Sequence, residues 1–278
     1  MIHAQNLEML RTPALSFTLN DGLVHGLVGP NGIGKTTLLR MIAGQHDSTG
    51  LEVYGEQPFD NSQVMDRTIL MGIDNPLPEG WNMKKLFQLG KSRWKTWNDQ
   101  RADELIERFG LPMTNYSGLS RGQKSAAGII MAVSSGCELM LLDEPYLGLD
   151  HQRRQVFFDV LREERGRTIV ISTHHLAEVS DYLDTVLQLG ENPMFHTVDD
   201  LLDAVVEIAG TEDKLTLFLR DLSLPVLHRD SSVLGDKALV DARSTDITEL
   251  FERVNAAGLR TANVGLEQAV EALGGEWR

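Results

Sequence analysis

An α/β domain with a mainly parallel sheet, followed by a small α+β appendage, is the fold class that the 278-residue sequence predicts. Three observations carry that prediction. Short apolar runs recur at 23–28, 139–142 and 168–172, each ending in glycine, carboxylates or a polar triplet. Stretches of helical spacing alternate with these runs, the order that builds parallel strands joined by crossover helices. A turn-forming cluster at 190–193 then separates this pattern from a shorter, more acidic one.

Taken in order, residues 14–19 place Leu15, Phe17 and Leu19 at alternate positions, the period of a half-buried strand. Residues 23–28 are apolar up to Gly29 and read as a buried strand. Residues 35–43 read as a helix closed by Gly44. Residues 81–133 read as mostly helical; within them 101–109 carry apolar residues at helical spacing, and Gly110 is the stop. Residues 139–142 and 168–172 are further buried strands. Beyond the turn cluster, 215–219 and 238–240 read as strands and 246–255 as a helix ending near Gly258. A last helix is expected over 266–273, stopped by Gly274 and Gly275. The expected domains are 1–190, with a helical subdomain over about 75–135, and an accessory region over 197–278.

Composition bounds the function. The chain is 42% hydrophobic and 24% charged, ordinary for a globular protein with a real core. A single cysteine, Cys137, excludes a disulfide framework and a Cys-rich metal site, and suits a reducing compartment. The first ten residues lack the basic region and apolar core of a signal peptide. No apolar run approaches the ~20 residues that cross a bilayer, so any membrane role is expected through a separate partner. The net charge of −14, from 26 basic and 40 acidic residues, argues against binding to nucleic-acid backbone. Residues 197–278 hold 16 acidic and 8 basic residues, read as a solvated acidic surface.

The strongest motif is Gly29-Pro30-Asn31-Gly32-Ile33-Gly34-Lys35-Thr36, which matches the phosphate loop G-x-x-x-x-G-K-[ST] and runs on into Thr37. Glycines let the backbone curl so that successive N–H groups point at phosphate oxygens. The helix that follows aims its positive end at the same place. Lys35 brings an ammonium to the β- and γ-phosphates, and the Thr36 hydroxyl is a ligand for Mg²⁺. A strand before the loop and a helix after it make nucleoside triphosphate binding the expectation.

Residues 139–144 end a buried strand in Asp143 and Glu144, at the edge where parallel sheets bind ligands. Asp143 can hold Mg²⁺ and Glu144 can polarise the attacking water, the metal offsetting the paired negative charge. The bland alternative is an acidic pair capping the next helix. The strand at 168–172 runs into Thr173 and His174; His174 is placed to meet the γ-phosphate and position water, and His175 beside it competes for that role.

In this order, these pieces resemble the nucleotide-binding subunit of ABC transporters over roughly 1–190. The addition that decides it is Leu119-Ser120-Arg121-Gly122-Gln123, which looks like the family signature LSGGQ, with Pro145 and Gly148-Leu149-Asp150 matching the loop after the catalytic glutamate. The resemblance implies a P-loop NTPase core and ATP and Mg²⁺ as ligands. It implies two copies packed head to tail, in a homodimer or heterodimer. Ser120, Gly122 and Gln123 of one would cover the triphosphate held by the other. It also implies ATP hydrolysis coupled to a separate transmembrane permease, with the chain peripheral on the cytoplasmic face of the membrane. A soluble non-transport ABC ATPase acting in assembly or regulation is the alternative.

Departures from the family pattern are visible. Arg121 replaces the first signature glycine, a variant that resembles the exporter-type branch. The family glutamine between core and helical subdomain is absent, and Asp74 stands nearest its place as a candidate metal or water ligand. No aromatic residue occupies the usual adenine-stacking position; Leu10 or Arg11 stands there. Trp81, Phe87, Trp94, Trp97, Phe109 and Tyr116 gather in the helical region, as its core or as a groove for a helix of a membrane subunit. The spaced tryptophans of 91–98 and, loosely, residues 265–269 resemble the ABC-2-like exporter group.

Overall fold

Alternation at the start of the chain closes a small antiparallel sheet. Strand β1 (Ile2–Met9) turns Ile2, Ala4 and Leu7 inward, and β2 (Thr12–Leu19) turns Leu15, Phe17 and Leu19 inward; all six are buried. After β3 (Val24–Val28) and α1 (Lys35–Ile42), the short β4 (Leu51–Val53) pairs with the other edge of β1. The computed structural model describes residues 1–72, 77–222, 224–232 and 235–274.

The main sheet is parallel. Helix α2 (Ser62–Met65) leads into β5 (Thr68–Gly72), and β6 (Leu139–Asp143), β7 (Thr168–Ser172) and β8 (Thr185–Gln188) complete the ladder, ordered β5-β6-β7-β3-β8. Strands β3, β6 and β7 are buried along their whole length. This is why they read as continuous apolar runs and not as alternation.

Between β5 and β6 lies the helical layer: α3 (Met83–Arg93), α4 (Asp99–Phe109) and α5 (Arg121–Ser134). Each start is set by a side chain that accepts a backbone N–H of the first turn: Asn82 for α3, Asn98 for α4 and Ser120 for α5. Gly110, at φ +57°, ends α4 in the left-handed conformation. Phe87, Phe109 and Tyr116 are buried in this layer, while Trp81, Trp94 and Trp97 are half-buried. Gly90 makes room for the Trp97 ring, since a Cβ there would lie 2.5 Å from it. After β6 comes α6 (His151–Glu163), capped by Asp150. Arg101 and Arg108 of α4 both pair with Glu163 of α6, tying the helical layer to its neighbour.

The chain divides into two compact units, one of residues 1–174 and 181–193, the other of 175–180 and 194–278. The second contains α7 (Leu176–Val179), β9 (Met194–Thr197), α8 (Val198–Ala204), β10 (Val205–Gly210), α9 (Glu212–Leu222), β11 (Val226–Ser232), β12 (Gly235–Asp241), α10 (Ile247–Ala256), β13 (Arg260–Asn263) and α11 (Leu266–Gly274). Its antiparallel sheet runs β11-β12-β10-β13. Both faces are covered. Val206, Ile208, Ala238 and Val240 pack with Leu215, Leu250 and Val254, while Val205 and Leu239 pack with Ala269 and Ala272.

One expected element changes type. Residues 215–219, read as a strand from the alternation of leucines, lie inside α9. Leu215, Phe218 and Leu219 meet the sheet at i, i+3, i+4 spacing while Leu217 is exposed, so the buried face follows the helical period.

His25 of β3 is fully buried. Its Nε2–H donates to the Asn20 carbonyl at 2.9 Å, which leaves Nδ1 to accept the Thr185 hydroxyl at 2.7 Å. Burial pushes its pKa below the ordinary histidine value, against the opposing pull of the Asn20 bond and Asp184. The unfolded chain therefore takes up a proton that the folded chain refuses. Stability is retained above the ordinary value and is lost as pH falls from there through the lowered one. Thermal unfolding followed by circular dichroism is expected to show a Tm that falls as pH drops below about 7, this group removing at most about 1.4 kcal/mol of stability per pH unit. His25→Gln should flatten that slope; an unchanged slope would refute the assignment.

Candidate functional site

Strand register builds the site. Leu27 of β3 and Asp143 of β6 both lie opposite Ser172 of β7. The segments leaving these three strands therefore emerge side by side at the carboxyl edge of the sheet. From β3 comes the loop 29–34, from β6 Glu144, and from β7 Thr173 and His174.

The loop is shaped by backbone that only glycine adopts readily. Gly29 and Gly34 have φ of +141° and +120°. A Cβ on Gly29 would stand 2.4 Å from the Leu189 carbonyl oxygen, and one on Gly34 2.8 Å from the Met9 methyl. The Ile33 N–H donates to the Pro30 carbonyl at 3.3 Å and closes the turn. The Lys35 ammonium donates to the Gly29 carbonyl at 2.7 Å and to that of Pro30 at 3.3 Å, so it lies folded over the loop. Burial lowers the Lys35 pKa, and the charges of Glu144 and Asp143 pull it back up.

Asp143 joins the strands. Its Oδ2 accepts the Thr36 hydroxyl at 2.6 Å, and its Oδ1 accepts the Ser172 hydroxyl. Glu144 has φ +49°, a left-handed conformation uncommon outside glycine. Its N–H is held by the Ser172 carbonyl at 3.2 Å and the Ser172 hydroxyl oxygen at 3.1 Å. Its Oε1 lies 2.8 Å from His174 Nδ1, and its buried Oε2 has no hydrogen-bond partner among the described residues. Of the two histidines the sequence offered, His174 is the one that meets Glu144.

A cleft of about 260 Å³ opens between these groups, lined by Asn31, Lys35, Thr36, Thr37, Asp143 and Glu144. Arg121 and Leu147 also line it, and sequence reasoning had singled out neither for this place. The Arg121 substitution in the signature was the one available signal. Ser120 and Gln123 instead bond each other: the Gln123 N–H donates to the Ser120 hydroxyl at 3.3 Å, and the Ser120 N–H donates to Gln123 Oε1 at 2.9 Å. This reciprocal capping starts α5 with both residues exposed or partly exposed. Gly122 is pressed against the loop after β6, where a Cβ would lie 2.2 Å from the Gly148 carbonyl oxygen.

Near the base-stacking position, Arg11 donates to the Gly32 carbonyl at 2.8 Å, while Leu10 projects into solvent. Phe17 is core, as expected. Asp74 lies outside the described residues. Among the described residues no group of three or more His, Cys, Asp or Glu side chains is arranged to hold a metal. The Thr36–Asp143 pair offers a hard cation two oxygens, which fits Mg²⁺, an ion that keeps several waters and shares substrate phosphates.

The model of the ABC transporter family matches residues 13–147. The chain carries an ABC nucleotide-binding domain. Two relatives extend the likeness beyond the matched segment. The chain is 28% identical over 225 residues to the ABC transporter ATP-binding protein YtrB of Bacillus subtilis, covering 77% of each chain. It is 29% identical to the daunorubicin resistance ATP-binding protein DrrA3 of Streptomyces coeruleorubidus, over 91% of this chain and 86% of that one. Among solved structures, the fold matches a dimeric post-hydrolysis state of the ATP-binding cassette MJ0796 bound to ADP and Pi. The TM-score is 0.57 and the identity 19%, with 71% of this chain and 98% of that one covered. The core of this ABC domain is the α/β P-loop NTPase fold that the sequence predicts, with a mainly parallel sheet.

The crowding at Gly29 gives a direct check. Gly29→Ala is expected to weaken ATP binding at least tenfold in a fluorescent-nucleotide titration, because the loop must move away from Leu189. Retained affinity in a folded variant would show that the loop conformation does not set binding.

Proposed function

We propose that the chain is the ATP-hydrolysing subunit of an ABC transporter and powers a separate membrane permease, an exporter. The observation that carries the hydrolytic part is the meeting of Thr36, Asp143, Glu144 and His174 beside the glycine loop. In this reading Asn31, Gly32, Gly34 and Thr37 present backbone N–H groups to the phosphates, Gly29, Pro30 and Ile33 shape the loop around them, and Lys35 leaves the loop carbonyls for the β- and γ-oxygens. Thr36 and Asp143 hold Mg²⁺, which supplies charge neutralisation at those oxygens.

Glu144 is the general base. Its buried Oε2, without a hydrogen-bond partner among the described residues, accepts a hydrogen bond, then a proton, from the attacking water. Its left-handed backbone, pinned by Ser172, aims the carboxylate into the cleft. His174 donates from Nδ1 to Oε1 and thereby orients the carboxylate and fixes its own tautomer.

Ser120, Gly122 and Gln123 complete the site of a second copy. They sit at the start of α5, whose dipole suits an anion. The dimeric assembly of the MJ0796 cassette supports this arrangement. ATP then bridges two copies, and hydrolysis removes the bridge, a coupling of about 1–3 kcal/mol per linked site.

The transport role rests on the relatives' names, one an ABC transporter protein and one a drug-resistance protein. These do not favour the assembly-factor alternative. No helix of the described residues is long and apolar enough to cross a membrane. In this reading the permease is a separate chain and this one is peripheral on the cytoplasmic face.

Glu144→Gln tests the mechanism. Turnover of Mg-ATP is expected to drop by about 10²–10⁴-fold, while ATP is still bound and the ATP-bound dimer persists in size-exclusion chromatography. Undiminished turnover would remove Glu144 from the role of base. Co-purification with a membrane protein that stimulates hydrolysis is the expected result for the transport role; recovery with soluble partners only would overturn it.

A further inference from the structure

Two residues past Glu144 the chain carries a tyrosine that is buried and stands apart from the groups lining the cleft. The Tyr146 hydroxyl shares a hydrogen bond with the hydroxyl of Thr173, which is fully buried as well. Thr173 is the residue just before His174. Side chains therefore join the segment after β6 to the segment after β7 at two points, Tyr146 to Thr173 and Glu144 to His174.

Each segment is held on its own account. The Leu147 N–H donates to the Glu144 carbonyl at 3.2 Å and the Leu149 N–H to that of Tyr146 at 3.1 Å, so overlapping turns tie Tyr146 to Glu144. On the other side the Thr173 N–H donates to the Leu27 carbonyl at 3.0 Å. The Tyr146 ring packs with Phe157 and Phe158, at centroid distances of 5.9 Å and 6.2 Å. Those ring contacts need no hydroxyl. What the hydroxyl adds is one directional bond to Thr173, made out of reach of water. His174 differs from its neighbour in that its side chain is partly exposed. A bond between a partly exposed ring and one carboxylate oxygen does not by itself fix how far apart the two backbones stand. The buried bond one residue away does.

We propose that Tyr146 is a positioning residue for ATP hydrolysis: its hydroxyl, through Thr173, sets His174 at donating distance from Glu144 and so keeps the carboxylate aimed at the attacking water. The inference rests on the reading of Glu144 as the general base and His174 as the group that orients it. Tyr146 touches neither nucleotide nor water in this reading and acts only through its neighbours. A base must be held within a fraction of an ångström of its productive place, and buried supporting bonds are what hold it.

The test is steady-state Mg-ATP hydrolysis by the full chain, with kcat and KM resolved. Tyr146→Phe keeps the ring and removes the bond. It is expected to lower kcat about three- to tenfold while KM for ATP changes less than about twofold. Thr173→Val removes the same bond from the other side and should match that loss; Thr173→Ser keeps the hydroxyl and should recover most of the rate. In a His174→Ala background, Tyr146→Phe should cost less than about a further twofold, because the group it acts through is gone. ATP affinity near that of the unaltered chain shows that the variants are folded. An unchanged kcat in Tyr146→Phe would overturn the assignment, as would a loss confined to KM. So would a full, additive loss in the His174→Ala background, because the hydroxyl would then act elsewhere. His174→Ala alone separates the inference from its foundation. If it leaves turnover intact, the reading of His174 fails and takes this inference with it; if it lowers turnover while Tyr146→Phe does nothing, only the role of Tyr146 fails.

Discussion

The Asp143 carboxylate is the point on which the site depends. It accepts the Thr36 hydroxyl on one oxygen and the Ser172 hydroxyl on the other, joining α1, β6 and β7. The carboxylate is buried, and a buried charge needs satisfied hydrogen bonds to be tolerated. Those bonds are available only because Ser172 stands across from both Asp143 and Leu27 in the ladder. A shift of one residue would turn Asp143 to the opposite face of the sheet and leave Thr36 without its partner.

Close backbone approach is the second constraint. The cleft can form only where side chains are missing. Gly29 lies against Leu189, Gly72 against Asp143 and Gly122 against Gly148, each closer than a Cβ permits. Gly122 and Gly148 bring the start of α5 against the loop after β6, and Arg121 there borders the cleft. Glu144 holds a left-handed backbone without being glycine, a cost that local bonds to Ser172 offset. Strain of this kind collects where a reactive group must be aimed.

The second unit shows a different economy. Its antiparallel sheet is covered on both faces by helices, and its buried residues are aliphatic throughout the two clusters. The acidic residues counted in the sequence sit mainly outside these clusters, on helices such as α8 and α9. The unit holds none of the groups gathered at the phosphate-loop cleft.

The sequence by itself determined the class of the first unit, its phosphate loop and the paired carboxylates. Those rest on local chemistry: buried parallel strands read as apolar runs, and a glycine loop before a helix has few other uses. It also marked α4 with its Gly110 stop and α10 ahead of Gly258, because stops and periodicity act within a few residues. Tertiary structure decided the rest. The leucine alternation of 215–219 fits a strand as well as a helix, and only the sheet it packs on selects the helical face. The choice of His174 for Glu144 depended on how β6 and β7 align. Arg121 lay in plain view as a substitution, but its packing against Gly148, twenty-seven residues away from it in the chain, did not. Patterns within one element are written in the sequence; which side chains meet across elements is settled by strand register and close packing.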